Sequence, residues 1–171
     1  MPRTPGTVDH HVIIIGAGFG GMGAAIQLNR LGIDDILILD RASDLGGTWH
    51  INTYPGLAVD IASTTYSYSF EPNPYWSRLY APGVELKAYA GHVADKYRLR
   101  RYMRFNTAVE KVVYDETANH WTVYPVGQPP VTARLLILAT GFLSQPKRPD
   151  IPGIDDFQGK IIHTAEWDHD Y

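Results

Sequence analysis

Apolar positions are densest near the start of the chain. His11–Ile15 is a short run rich in β-branched residues, and Ile36–Leu39 is a second apolar run; both have the length of buried strands. Between them Met22, Ala25, Ile26 and Leu31 recur near helical spacing, with Gly32 placed to stop the helix. Farther on, Thr64–Phe70 alternates polar residues with Tyr66, Tyr68 and Phe70, which predicts an extended segment with one aromatic face. Pro72, Pro74 and Pro82 exclude a regular element after it. Val84–Leu99 reads as a helix whose stripe is Leu86, Tyr89, Ala90, Val93 and Tyr97, with Gly91 on the opposite face. Strands are expected at Tyr102–Phe105, Ala108–Tyr114, Trp121–Pro125 and Val131–Ala133, the last three as an antiparallel meander, and a further buried strand at Leu135–Ala139. The pattern predicts an α/β fold: a Rossmann-like parallel sheet interrupted by an antiparallel β-meander.

Composition narrows the class. The chain has 171 residues, 44% hydrophobic and 19% charged, enough for one domain with a core. A net charge of -3 argues against a nucleic-acid partner. The densest basic group, Arg98, Arg100, Arg101 and Arg104, falls at an expected helix end, where it is solvated or favours the dipole. With no cysteine there is no disulfide scaffold, zinc–thiolate site or redox dithiol, which suits a cytoplasmic setting. No apolar run approaches membrane-spanning length, and residues 1–9 read as a short disordered lead.

The candidate chemistry lies between the first strand and the first helix. Gly16-Ala17-Gly18-Phe19-Gly20-Gly21 satisfies G-x-G-x-x-G, and Asp40 ends the second strand nineteen residues after Gly21. Gly16 allows the tight turn, Gly18 lets backbone approach a pyrophosphate, and Gly21 lets helix and strand pack closely. The helix N-terminus offers unpaired N–H groups and a positive dipole end to phosphates, and Phe19 within the motif is counted among the cofactor-binding residues. Asp40 is suited to ribose hydroxyls and repels a 2′-phosphate, so this site takes FAD or NAD rather than NADP. The turn-rich loop that follows, residues 41–60, is long for a compact domain and carries Trp49 and Tyr54, so it is a candidate lining for the rest of the ligand. Thr140-Gly141, after the last strand, is either a second close approach or an ordinary turn. His163 and His169 at i, i+6 fit no helical metal-ligand pair.

Two longer stretches carry a resemblance. Gly46-Gly47-Thr48-Trp49, Tyr54-Pro55-Gly56 and Asp60 resemble the [A/G]-G-x-W-x-x-x-x-[F/Y]-P-[G/M]-x-x-x-D pattern of Baeyer–Villiger monooxygenases. Phe157, Gly159, His163, Thr164, Trp167 and Asp168 are similar to that family's F-x-G-x-x-x-H-[T/S]-x-x-W-[P/D] fingerprint, and Ala139-Thr140-Gly141 to a third, weaker signature. Flavin-containing monooxygenases that oxidise nitrogen or sulfur are close relatives and carry Tyr or Phe where this chain has Trp167.

The resemblance implies FAD at the first site and an NADP-binding domain after a Pro-rich linker. It implies NADPH-dependent oxygen insertion into a small-molecule ketone through a C4a-peroxyflavin. Carried over by residue, it puts Gly16, Gly18 and Gly21 on the pyrophosphate, Asp40 on the adenosine ribose and Val109 at the adenine. It puts Gly47, Thr48, Trp49 and Tyr66 at the flavin side, and Asp60 beside the isoalloxazine. It makes His163 and Trp167 domain-linking residues that affect catalysis. The expected organisation is a lead over 1–9, an FAD-binding domain over 10–144, and a linker with fingerprint over 145–171. The family's second glycine-rich turn, the arginine partner of Asp60 and the returning segment of the FAD domain have no counterpart in these residues. The chain is thus expected to be truncated before the NADP domain and inactive alone. It is the first part of an enzyme (with a second chain as one possible source of the NADP domain), an FAD-binding module, or a gene remnant.

Overall fold

The computed structural model describes residues 7–143 and 145–171. Strand β1 (His10–Ile15) leads through the glycine turn into helix α1 (Phe19–Arg30), which returns to β2 (Ile36–Leu39). A loop then carries a single helical turn, α2 (Thr48–Ile51), ahead of α3 (Gly83–Lys96). Then come β3 (Met103–Arg104), β4 (Val109–Asp115), β5 (His120–Pro125) and β6 (Val131–Leu138). The six strands form one sheet in the order β3-β2-β1-β6-β5-β4. β3, β2, β1 and β6 run parallel, while β5 is antiparallel to both its neighbours.

Alternation along the parallel strands divides the core into two layers. Val12, Ile14, Ile36 and Ile38 pack with Met22, Ala25 and Ile26 of α1 and with Tyr89, Ala90 and Val93 of α3. Ile13, Leu37 and Leu39 face the other way and join Val123 and Ala133, with half-buried Val112 and Leu136 around them. Helices therefore cover one face and the meander covers the other. This is why β1 and β2 read as continuous apolar runs. It is the Rossmann-like fold with an inserted antiparallel meander that the pattern predicts.

β6 joins the two layers. The sequence reads as two strands with a break at Arg134, but the structure has one strand of eight residues. Its first part, Val131–Ala133, pairs with β5, and Ala133–Leu138 pairs with β1. The second part is also less buried than expected: Leu135 is 47% exposed and Leu138 63%.

Thr64–Phe70 is not a strand. Ser63–Thr65 is a 3-10 turn, and the segment beyond it bends through an isolated bridge between Tyr68 and Glu71. The buried Ser63 hydroxyl, donating to Arg78 and Leu79 carbonyls and accepting from Ala81 N–H, fixes this course in place of a ladder. The expected strand at 102–105 shrinks to Met103–Arg104, with a 3-10 turn over Leu99–Tyr102 before it, and it pairs parallel to β2. Arg98 ends α3 in the left-handed region at φ 54, and Arg100 pairs with Asp95 at 2.6 Å and Asp44 at 3.4 Å. Of the expected disordered lead, residues 1–6 lie outside the described residues. Asp9 is anchored, its carboxylate accepting from the N–H and hydroxyl of Thr132. Among the described residues no helix is long and apolar enough to cross a membrane.

Candidate functional site

The site assembles where the parallel strands end, the place at which open α/β sheets bind ligands. β1 runs directly into Gly16, whose φ of 111° favours glycine. A Cβ there would stand 2.3 Å from the Ala139 carbonyl oxygen at the end of β6. Gly21 is held more tightly still: a Cβ would lie 1.8 Å from the Gly16 carbonyl oxygen and 3.3 Å from Ile14. The turn-making and close-packing roles read from the motif thus each have a definite neighbour. Gly18 takes ordinary negative φ, and its freedom serves contact with another glycine. Gly47, at φ 56°, would bring a Cβ to 3.1 Å from the Gly18 Cα. The Gly46-Gly47 pair therefore belongs to the same backbone cradle as Gly16–Gly21, joined to it by the Gly46 N–H on the Ala17 carbonyl at 3.0 Å.

Helix α1 opens on this cradle without a side-chain cap. Its first rung runs from Met22 N–H to the Gly18 carbonyl, so the amides of Phe19, Gly20 and Gly21 precede the ladder. Three uncapped N–H groups at the positive end of a twelve-residue helix suit an anionic pyrophosphate. Asp40 borders the same turn. Its Oδ2 accepts from Ala17 N–H at 2.6 Å and its Oδ1 from Ala42 N–H at 2.8 Å, so the carboxylate is fixed in place by backbone. Each oxygen retains capacity for a further donor such as a hydroxyl. Thr107 N–H donates to the Asp40 carbonyl at 2.8 Å, bringing the start of β4, where Val109 lies, to the same end of the site.

Trp49, buried in α2, donates its indole N–H to the Tyr66 hydroxyl at 3.0 Å with the rings edge-on. Thr48 is exposed on the same turn. The ring of Phe19 packs against Tyr66 edge-on and stacks on Tyr68, with centroids 5.6 Å apart in each pair. Asp60, Thr140 and Gly141 are exposed. Thr140 and Gly141 directly follow Ala139, whose carbonyl oxygen would lie 2.3 Å from a Cβ on Gly16. Asp60 follows Val59, which is held by its N–H on the Ala81 carbonyl. A separate pocket of about 530 Å³ opens between the 49–58 loop and the start of α3, walled by Trp49, Tyr54, Leu57 and Tyr80.

The structure does not bring His163 and Trp167 into the glycine cradle. His163 Nδ1 accepts from Ala165 N–H at 3.1 Å and so caps a 3-10 turn over Thr164–Glu166; Trp167 follows it, half-buried. His169 reaches back to Thr53 at 2.9 Å, tying this segment to the 41–60 loop. Among the described residues no three His, Asp or Glu side chains are placed to hold a metal ion. Lys87 escapes sequence reading. It donates to Asp44 at 2.6 Å and also to the Leu45 carbonyl, securing the loop just before Gly46. The Lys87 bond and charge, with that of Arg100, hold the Asp44 carboxyl below its usual range despite the opposing effect of burial.

Residues 13–171 match the family described as pyridine nucleotide-disulphide oxidoreductase. The chain belongs to this family of oxidoreductases. A Baeyer-Villiger monooxygenase of Streptomyces coelicolor is 48% identical over 160 residues, which is 94% of this chain and 31% of that protein. One from Pseudomonas aeruginosa is 42% identical over 98% of this chain and 32% of its own length. The solved complex of OTEMO with FAD and NADP superposes with a TM-score of 0.86 at 36% identity, over 95% of this chain and 31% of that one. The chain therefore spans about a third of the length of the family members it matches.

Proposed function

We propose that this chain is the FAD-binding, N-terminal part of an NADPH-dependent flavoprotein monooxygenase of Baeyer–Villiger type. The observation that carries the reading is the glycine cradle: an uncapped helix start, two glycine turns in backbone contact and the Asp40 carboxylate at one strand end. Similarity to monooxygenases over nearly the whole chain supports it. Gly16, Gly18 and Gly21 hold the pyrophosphate with the first amides of α1. Asp40 takes the adenosine ribose, and Val109 lies at the adenine. Gly47, Thr48, Trp49 and Tyr66 border the flavin half, with Asp60, Thr140 and Gly141 on its rim. The bound flavin, reduced by NADPH, supplies the chemistry that inserts oxygen beside a ketone carbonyl. Residues 10–144 form the cofactor domain. Residues 145–171, with His163 and Trp167, lead toward an NADP domain on the same polypeptide or a second chain, and ketone conversion needs that domain.

A chimera tests this. Residues 10–171 replace the matching third of the Streptomyces coelicolor enzyme, and ester formation from a ketone with NADPH and oxygen is followed. Ester formation is expected. A chimera that folds and holds FAD yet makes no ester contradicts the assignment.

A further inference from the structure

Six aromatic side chains form an unbroken column from the glycine cradle to the C-terminal end of α3. Trp49 bonds Tyr66, with ring centroids 5.4 Å apart. Tyr66 meets Phe19 edge-on at 5.6 Å, and Phe19 stacks on Tyr68 at 5.6 Å. Tyr68 stacks on Phe70 at 5.0 Å, and Phe70 meets Tyr97 edge-on at 5.9 Å. Each step lies within the contact range of aromatic pairs. Core packing alone explains the contacts but not how the hydroxyl groups are partnered along the column.

A tyrosine oxidised by one electron must release its phenolic proton, so it needs a base. Tyr68 donates instead to the Phe19 carbonyl, which takes no proton, and burial raises its pKa. The Tyr89 hydroxyl, beside the column, donates to the Glu71 backbone carbonyl. Tyr97 is different: it donates to the Glu71 carboxylate at 3.0 Å. Glu71 is only 9% exposed, and Lys96 at 2.7 Å, Tyr97 and His92 at 3.6 Å hold it in the ionised form. The Arg30 guanidinium lies 4.3 Å over Phe70, disfavouring a resting positive charge there and leaving that ring as a bridge. Trp76, beside Tyr89, has a buried indole N–H without a partner, so it too lacks a base.

We propose that this column is a one-electron relay that carries an oxidising equivalent from Trp49, beside the cofactor site, to Tyr97 and the Glu71 carboxylate. A hydroxyl radical, an oxygen-derived one-electron oxidant reaching the site, takes an electron from Trp49 and leaves as hydroxide. An electron then passes from Tyr97 through Phe70, Tyr68, Phe19 and Tyr66 to restore Trp49. The O–H bond of Tyr97 breaks, its proton binds Glu71, and a neutral tyrosyl radical remains. The relay draws strong oxidants away from the cofactor before they damage its surroundings. This purpose rests on the flavin reading above; the transfer itself does not.

Pulse radiolysis with azide radicals tests the transfer in the full chain with no flavin added. Trp121 lies 5.0 Å from Tyr114 and Trp76 5.5 Å from Tyr89, and both offer competing pairs, so Trp76→Phe, Trp121→Phe and Trp167→Phe form the background, leaving Trp49. The expected result is indolyl radical decaying as tyrosyl radical grows, at a rate independent of protein concentration. Tyr97→Phe loses most of the tyrosyl signal, and Glu71→Gln slows its growth while near-ultraviolet circular dichroism stays unchanged. The same Tyr97→Phe comparison in the chain with all four tryptophans reports the column even where the background alters folding. No tyrosyl growth in the parent, or an undiminished signal in Tyr97→Phe, overturns the relay. Failure to bind FAD in a separate titration overturns the flavin reading and leaves the relay measurement standing.

Discussion

Two glycines respond oppositely to one added methyl group, because one is hemmed in by backbone and the other faces open space. At Gly21 a Cβ would lie 1.8 Å from the Gly16 carbonyl oxygen, and neither backbone segment can move without opening the cradle. At Gly91, inside α3, the only atom outside the helix backbone within 4 Å of an added Cβ, among the described residues, is the end of the Arg100 side chain, at 3.9 Å. Gly91→Ala should therefore stabilise the chain by about 0.5–1 kcal/mol through helix propensity. Gly21→Ala should destabilise it by about 1–3 kcal/mol or more through overpacking. Denaturant unfolding of both variants checks this, and equal midpoints would refute the close packing assigned to Gly21. The motif made Gly21 legible, since its spacing encodes the contact. Two features were not: Gly47 against Gly18, and the Phe19 ring against Tyr66 and Tyr68. Both depend on how distant segments meet, which no local pattern records.

At the scale of elements, strands with one partner on each side were legible and shared ones were not. β1 and β2 are covered on both faces, so they read as plain apolar runs. β6 joins the parallel part of the sheet to the meander, and its change of partner at Ala133 looks in sequence like a break between two strands. The aromatic alternation of Thr64–Phe70 read as a strand, yet the rings converge through turns held by the Ser63 hydroxyl. Convergence of side chains does not require a ladder. Burial of β6 was overread for a related reason. Its second half pairs with β1 on one edge only, since β5 stops at Ala133. The Ala139 N–H donates to Ile15, and successive N–H groups alternate between edges. Ile137 and Ala139 amides should thus exchange slowly with solvent deuterium, and Leu136 and Leu138 rapidly. Uniform protection across all four would mean that the outer edge of β6 is covered.

For the molecule as a whole, the two-layer fold places four features at the ends of parallel strands: the glycine turn, the uncapped start of α1, Asp40 and the Ala139 turn. None of the four binds a dinucleotide alone, and β1, β2 and β6 bring them together only because their registers end level. The fold class and this convergence were legible because the βαβ pattern dictates them. The docking of the fingerprint segment onto the 41–60 loop through His169 and Thr53 was not, because it joins residues far apart in sequence. The central claim is that this assembly is an FAD site. The most direct test is titration of the purified 171-residue chain with FAD, followed by flavin absorbance and fluorescence, with NADP in a parallel titration. The account predicts one FAD per chain and no comparable binding of NADP, whose 2′-phosphate the Asp40 carboxylate repels. A folded chain that leaves FAD free in solution, or takes NADP in its place, would contradict it.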